Sequence, residues 1–283
     1  MGAYGDDEMG DSAGAAYVFR RSNNGTPLDA NDDFWIEESK LTASDGSPGD
    51  LFGGSVSVSN DRVLIGAPAS DLLGDNSGAV YVFRRDDNNT PVDPSDDSWV
   101  EDPLVTGSTI RRRSLFGTSV SLTERRAVVS APALNGGTAY IFRLDNAGRW
   151  IEEIMIPSPS PSSVQRFGAS VEINENRLIV GSGAPGSVDG FSGSAFVFRL
   201  DDGGTPSDRG DDTWIQEAEL TAMDGPGDPQ FGISVAVDGD WAVVGSPRAV
   251  DANRRTGAAY IRLFSGPDAD GDGAFDGCDN CPT

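Results

Sequence analysis

One sequence pattern occurs four times in this chain, and no other feature constrains the fold as strongly. It reads FGGSVSVSNDRVLIGAP from Phe52, and related copies begin at Phe116, Phe167 and Phe231, at spacings of 64, 51 and 64 residues. A unique catalytic site has no need of four copies, whereas a tandem array carries one copy per structural unit. The chain is therefore predicted to repeat one small unit along most of its length.

Each repeat carries four landmarks in a fixed order, and each landmark reads as a β-strand. The first, SVSVS at 55–59, alternates small and apolar residues with the period of a strand. The next two, VLIG at 63–66 and YVFR at 81–84, are continuous apolar runs, which are typical of strands covered on both faces. The fourth is a more polar strand that opens on a tryptophan with acidic neighbours, at Trp35, Trp99, Trp150 and Trp214.

The pattern predicts an all-β fold, because no stretch has a helical period of 3.6 residues. Four strands in sequence order give a four-stranded antiparallel meander, and radial packing of such sheets gives a β-propeller. We expect small residues of the first strand at the crowded axis and the Phe of each Phe-Gly pair wedged between blades. The predicted propeller spans 1–264, with repeats at about 1–51 (partial), 52–115, 116–166, 167–230 and 231–264 (partial).

At these residues the chain resembles the FG-GAP repeat family, the blades of integrin α-chain propellers and of many bacterial surface proteins. The resemblance covers about residues 2–264, and the WIEESKLTASDG segment at 35–46 is closest to the bacterial type. It implies an intact ring of seven blades, of which about five are present here as 17 strands, so we expect a fragment that forms an open arc. Integrin-like blades often carry a calcium loop between their first two strands. In this chain short turns such as 59–62 occupy that place, so the resemblance does not imply calcium sites there.

Composition limits the partners and the chemistry. The formal net charge is −24, so DNA and RNA are poor candidates for a partner. There is no histidine, which removes the commonest general base and metal ligand, although carboxylate chemistry remains open. No apolar run approaches the roughly 20 residues that span a bilayer. The two cysteines, Cys278 and Cys281, make half of a zinc site at most, and we expect each to pair, if at all, outside this segment.

The strongest candidate site is the acidic tail at 265–283. Its aspartates alternate around a central glycine with the spacing of a calcium-binding loop, in which hard oxygen ligands surround the ion. The tail resembles one truncated thrombospondin type 3 repeat, a family whose tandem repeats bind calcium and form disulfides, so further calcium repeats are expected downstream. An acidic tail without metal is the alternative. The predicted ligands are Asp268, Asp270, Asp272, the carbonyl of Ala274, Asp276 and Asp279.

Four weaker candidates lie in loops. Loops before three of the tryptophans carry recurring carboxylates that could hold a cation, but solvated hairpins have the same composition. An Arg-Gly-Asp tripeptide at 209–211 is interpreted as a coincidence, since its Asp is the repeat Asp. The basic cluster Arg111–Arg113 is either a contact for a partner or part of a solvated loop. The loops that follow the second strands are candidates for ligand binding, because such loops lie together on one rim of a propeller. The carboxylates concerned are Asp29, Asp32, Asp33, Asp93, Asp96, Asp97, Asp208, Asp211 and Asp212 before the tryptophans, and Asp7, Asp11, Asp71 and Asp75 after the second strands.

These observations favour a non-catalytic, secreted or cell-surface adhesion module that binds an extracellular protein or glycan. Calcium in the tail suits an extracellular setting, where the ion is millimolar. The alternatives are a propeller hydrolase or lyase with a carboxylate or metal site, and a structural spacer of a large surface protein.

Overall fold

The computed structural model describes residues 1–24, 31–90, 96–103, 105–159, 166–183, 193–205, 211–222, 230–251 and 254–264. These residues form β-strands, turns and loops, with no helix among them, so the all-β prediction is confirmed. No element of the described chain is a helix that could span a membrane. Five main antiparallel sheets follow one another along the sequence, as expected for propeller blades.

The sheets are numbered here in chain order. Sheet 1 contains β1 (Gly2–Ala3), β2 (Ala15–Ser22) and β3 (Phe34–Leu41). Sheet 2 contains β4 (Ser55–Ser59), β5 (Arg62–Ala67), β6 (Ala79–Asp86) and β7 (Ser98–Glu101). Sheet 3 contains β8 (Val120–Leu122), β9 (Arg126–Ala131), β10 (Thr138–Leu144) and β11 (Trp150–Pro157). Sheet 4 contains β12 (Ser170–Ile173), β13 (Arg177–Ser182), β14 (Ser194–Asp201) and β15 (Thr213–Leu220). Sheet 5 contains β16 (Ser234–Asp238), β17 (Trp241–Ser246) and β20 (Ala258–Leu263), and β18 (Val250–Asp251) with β19 (Arg254–Arg255) forms a small ribbon between its strands.

Three details differ from the sequence prediction. The sequence predicts that the strand opening at Trp99 ends in the DPLVT segment at 102–106, but it ends at Glu101, and among the described residues of that segment Val105 makes an isolated bridge to Val80. The sequence predicts the last hairpin turn at Asp238 and Gly239, but the turn lies at 239–240, because Asp238 is paired with Trp241. The sequence predicts 17 strands, and the described chain has 20. The three additional strands, β1, β18 and β19, are two residues long and have no strong alternating or apolar sequence pattern.

Each interior strand supplies side chains to two cores, which explains its continuous apolar run. In β5, Val63 and Ile65 lie in the core shared with sheet 1, whereas Leu64 lies in the core shared with sheet 3. Cores of this kind join all four pairs of consecutive sheets. Burying one such side chain contributes roughly 1.5–3 kcal/mol, so the stack is stabilised mainly between sheets.

The Phe-Gly pairs hold consecutive sheets together, as predicted. The Phe116 ring is fully buried and meets the Tyr140 and Phe142 rings edge-on at 5.5 and 6.2 Å between centroids. Its backbone N–H donates to the Ser77 carbonyl of the preceding loop at 2.9 Å. Gly78 lies so close that a Cβ there would stand 2.1 Å from the Phe116 carbonyl oxygen, and its φ of +78° also favours glycine.

The first strands of sheets 2 to 5 contact one another in succession, which places them on the inner side of the stack. Their serines make hydrogen bonds between sheets: the Leu122 N–H donates to Ser57 Oγ at 3.0 Å, and the Ile173 N–H donates to Ser121 Oγ at 3.2 Å. The alternating serines therefore do more than fit a crowded axis, because they satisfy backbone groups of the next sheet.

Candidate binding surface at the entry rim

The entry rim is the edge of the stack formed by two kinds of loop. One kind joins the second strand of a sheet to its third, as at 68–78; the other leads from the fourth strand into the next Phe-Gly pair, as at 42–54 and 102–119. In sheets 1 and 2 the entry loop runs along the preceding loop between the second and third strands. In sheets 1 and 2 the N–H groups of Gly49 and Arg113 donate to the carbonyls of Asp11 and Asp75 at 2.9 and 2.7 Å. The rim is thus a hydrogen-bonded surface that crosses from sheet to sheet.

Two neighbouring rim loops, at 4–14 and 68–78, have the same internal hydrogen bonds. The Ser12 N–H donates to Asp7 Oδ1 at 2.8 Å, and the equivalent Asn76 N–H donates to Asp71 Oδ1 at 2.7 Å. Glycine N–H groups close both loops in the same way, at Gly14 and Gly78. The carboxylates Asp7 and Asp71, predicted as candidate ligand groups, therefore fix the loop backbone.

The tips of these two loops expose large apolar side chains. Met9 and its equivalent Leu73 are 52% and 49% exposed, and Leu72, the neighbour of Leu73 in the sequence, is exposed as well. The hydrogen bonds of these loops restrain the backbone on either side of the tips, and the apolar groups at the tips face solvent. These residues were not predicted from the sequence; the available signal was the apolar pair Leu72 and Leu73 within an otherwise acidic, glycine-rich loop.

The basic cluster Arg111–Arg113 belongs to the same rim. Arg112 and Arg113 form ion pairs with Asp75 at 3.0 and 3.4 Å, and Arg111 donates to Asn135 Oδ1 at 2.7 Å. The hydrogen bond from Asn76 and the bond from Arg112 lower the pKa of Asp75. The cluster therefore joins the rim loops of sheets 2 and 3 while its exposed arginines add positive charge beside the apolar tips.

Tyrosines of the third strands reach the rim and meet carboxylates. The Tyr17 hydroxyl donates to Asp6 Oδ2 at 3.0 Å and the Tyr81 hydroxyl donates to Asp45 Oδ1 at 2.7 Å. Asp50 lies nearby and accepts the Ser47 N–H at 2.9 Å. Burial, together with the charges of Asp71 and Asp45, raises the pKa of Asp50. This part of the rim is a packed polar layer.

The loops before the tryptophans lie at the opposite edge, and their described carboxylates have partners within the hairpins or across sheets. Asp33 pairs with Arg21, Asp97 with Arg85 Nε at 2.7 Å, and Asp212 with Arg126 of the neighbouring sheet at 2.6 Å. Asp96 and Asp211 accept threonine hydroxyls, and Asp32 accepts the Asn24 amide. Among the residues whose positions are described, no three metal-ligating side chains are grouped so that they could hold an ion. The remaining predicted positions of these loops, Asp29, Asp93, Asp208, Arg209 and Gly210, lie outside the described residues.

The acidic residues after each tryptophan join neighbouring sheets, a role that the sequence analysis did not identify. A β-bulge in each outer strand leaves one acidic residue unpaired, and this residue is Glu38, Glu153 and Glu217 in sheets 1, 3 and 4. The indole N–H groups of Trp99 and Trp214 in the following sheets donate to Glu38 and Glu153 at 2.9 and 3.0 Å.

In sheet 2 the equivalent bulge residue is the shorter Asp102, and the same contacts are missing. The Asp102 N–H still donates to the Val82 carbonyl at 2.8 Å. However, the buried Trp150 Nε1 and Arg62 Nε have no partner among the described residues. Arg126 and Arg177 are the counterparts of Arg62 in sheets 3 and 4. Their Nε–H groups donate to Glu153 and Glu217 at 3.1 and 2.8 Å. One missing methylene thus leaves two buried donors unsatisfied.

The predicted calcium ligands Asp268, Asp270, Asp272, Ala274, Asp276 and Asp279 lie outside the described residues, as does the whole segment 265–283. The calcium site stays a prediction.

A comparison with protein families finds two matching segments. The FG-GAP repeat family matches residues 35–83 and 214–262. Both segments begin at the tryptophan of a fourth strand and end in the third strand of the next sheet, so one family unit crosses the interface between two sheets. The comparison with curated proteins gives no match.

Proposed function

We propose that this chain is a non-catalytic binding module of a secreted or cell-surface protein, and that its entry rim is the ligand platform. The two FG-GAP matches support this class, because propellers built of such repeats typically serve in binding or adhesion. Fold class alone does not assign a function, so the proposal also needs a surface with the properties of a binding site.

The observation that carries the proposal is the exposure of Met9, Leu72 and Leu73 on adjacent, structurally equivalent loops. Exposed apolar groups rimmed by polar residues mark interaction sites more often than isolated exposed side chains do. The surrounding carboxylates and the exposed Arg112 and Arg113 give the platform a polar border. We infer that the ligand is a protein or glycan that offers an apolar patch. This chain, which binds it, has a strongly negative net charge.

A direct test measures binding of the purified chain to a panel of extracellular matrix proteins and immobilised glycans by surface plasmon resonance. The double variant Leu72→Ser/Leu73→Ser is expected to weaken any specific interaction at least about tenfold, because apolar anchors at the centre of an interface dominate affinity. The matched control is Val100→Ser, which removes an exposed apolar side chain from the outer strand of sheet 2. Equal loss in both variants, or none in the rim variant, would contradict the assignment of the rim.

Calcium binding by the tail is proposed separately, on the donor set of its aspartates. Isothermal titration of Ca²⁺ is expected to give a heat of binding in the parent chain that is lost in Asp270→Ala and Asp272→Ala. Hard carboxylate ligands at alternate positions are the chemistry that calcium prefers. Parent-like titration of both variants would show that the tail is not a working site.

A further inference from the structure

The second strands of sheets 2, 3 and 4 each begin with an arginine, and the arginine of sheet 2 lacks the partners that the other two have. In sheets 3 and 4 the arginine pairs with two carboxylates, one from its own sheet and one from the following sheet. These sets are Arg126 with Glu153 and Asp212, and Arg177 with Glu217 and Asp240. A cation held between two carboxylates is thus a repeated feature of these interfaces.

Arg62, the counterpart in sheet 2, has neither of these carboxylates among the described residues. In its own sheet Asp102 replaces the glutamate and is one methylene shorter, and Arg62 Nε is buried without a partner. In the following sheet Gly148 stands two residues before the tryptophan, where Asp212 stands in sheet 4. The hairpin between β10 and β11 is also shorter than the hairpin between β14 and β15. Arg62 instead forms an ion pair with its sequence neighbour Asp61 at 2.7 Å.

Arg62 lines a pocket of about 240 Å³ at the edge of the stack opposite the entry rim. The rest of the lining comes from two turns of sheet 3, at 124–125 between β8 and β9 and at 144–146 in the shortened hairpin. Arg62 donates one hydrogen bond to a described residue, from Nη1 to Asp61, so Nη2 has no acceptor in that part of the chain. The pocket therefore lies between a guanidinium with an unused donor and the hairpin that, in sheet 4, supplies the second carboxylate.

Three further charged residues line the pocket, and their charges largely cancel. Asp145 accepts from Arg149 Nε within the hairpin at 2.9 Å, which neutralises its charge. Glu124 and Arg125 are adjacent, exposed and of opposite sign. The chain as a whole has a net charge of −24, but at physiological ionic strength charges beyond about 8 Å are largely screened. An anion that approaches Arg62 therefore meets little net repulsion from the pocket walls.

We propose that this pocket binds one carboxylate group of a ligand, which accepts a hydrogen bond from Arg62 Nη2 as Asp212 does from Arg126. That contact is present one interface further along the stack, where Asp212 Oδ2 accepts from Arg126 Nη2 at 2.6 Å. Hydrogen bonds between a guanidinium and a carboxylate are stronger than those between neutral groups, and only 18% of the Arg62 side chain is exposed to competing water.

The size of the pocket limits what enters it. Its volume of about 240 Å³ is below the roughly 300–1,000 Å³ of pockets that hold drug-sized ligands, so one small acidic group fits and a larger ring system does not. The carboxylate is either a free carboxylic acid or the side chain of an aspartate or glutamate in a polypeptide. Both sources offer the same group to Arg62.

Titration of the full chain with sodium acetate tests the proposal, with the ionic strength held constant by sodium chloride. In nuclear magnetic resonance spectra of the N–H groups, the signals of Arg62 Nε–H and of the Asn146 backbone are expected to shift and to saturate as the pocket fills. The Arg126 Nε–H signal is the internal control. It is expected to stay in place, because its guanidinium already holds Glu153 and Asp212.

Two variants of Arg62 test whether the guanidinium is the binding group. Arg62→Gln removes the charge, and the saturable shift of the Asn146 signal is expected to be lost. Arg62→Lys keeps the charge without the fork of donors and is expected to weaken binding about tenfold. The matched control Arg199→Gln removes an exposed arginine from β14 and is expected to respond like the parent. Shifts that do not saturate, equal shifts at Arg126, or a parent-like response in a folded Arg62 variant would overturn the proposal.

A second titration identifies the source of the carboxylate. It uses a capped Gly-Asp-Gly peptide and, as its control, the peptide with asparagine in place of aspartate. Half-saturation at a lower peptide concentration than that of acetate assigns the pocket to an acidic side chain, and equal or weaker binding assigns it to free acids. Equal binding of the asparagine peptide would contradict carboxylate recognition. The pocket lies at the edge opposite the entry rim, so this test is independent of ligand binding at the rim.

Discussion

At the residue scale, neighbouring sheets are held together by side chains that recur once in each repeat. The Phe-Gly pair could be assigned to the sheet interface from sequence, because an aromatic next to a glycine that tolerates close backbone approach has few other uses in a repeated strand. The acidic residue after each tryptophan could not be assigned to the interface from sequence. Its role depends on a β-bulge and on a partner in the next sheet, roughly one repeat away in sequence, as Glu38 and Trp99 show.

Asp102→Glu is expected to stabilise the protein by about 1 kcal/mol, since a longer side chain can accept from both Trp150 Nε1 and Arg62 Nε. Glu153→Asp is the matched reverse change and is expected to cost about 1–3 kcal/mol by leaving the indole of Trp214 unsatisfied. Urea denaturation of the two variants measures both effects. Destabilisation by Asp102→Glu would show that the shorter side chain is required in sheet 2.

Asp50→Asn tests the buried carboxyl at the rim. The pKa of Asp50 is raised in the folded state, so the folded protein binds this proton more tightly than the unfolded chain, and the parent loses stability as pH rises from the ordinary value of 3.8 through the raised one. The asparagine cannot ionise but can still accept the Ser47 N–H. Its stability relative to the parent is therefore expected to grow over that pH interval and then level off. A difference that is constant across pH would contradict the assigned cause.

At the scale of the strand, period-two alternation and continuous apolar runs correctly predicted the first three strands of each repeat. They could not show that the serine positions of β4 and β8 accept hydrogen bonds from the next sheet, because such a contact joins residues about one repeat apart, as in Ser57 and Leu122. They also extended the fourth strand of sheet 2 too far, since a bulge at Asp102 ends the regular pairing.

Ser57→Ala is expected to destabilise the protein by about 1–2 kcal/mol, because it leaves the Leu122 N–H without its acceptor between two sheets. Ser59→Ala on the same strand is the control, because no hydrogen bond joins the Ser59 hydroxyl to another described residue. Chemical denaturation of the pair measures the difference. Equal stability of the two variants would show that the inner serines contribute no net stability across the interface.

At the scale of the whole molecule, stability resides between the sheets. Every interior strand divides its side chains between two cores, so no sheet has a core of its own and neighbours must fold together. The sequence predicted the stacking, because only sheets covered on both faces need continuous apolar runs. The proposed ligand surface at the rim was harder to predict, because Met9, Leu72 and Leu73 stand out only through their exposure on adjacent loops.

Hydrogen exchange measured by mass spectrometry tests this account most directly. Protection is expected to be highest and nearly equal in the second strands of the interior sheets, at Arg62–Ala67, Arg126–Ala131 and Arg177–Ser182, and lower in sheets 1 and 5, which each share a core with one described sheet. If one of these three strands exchanged as fast as the rim loops, or if sheets 1 and 5 were as protected as the interior sheets, stacking through shared cores would be wrong.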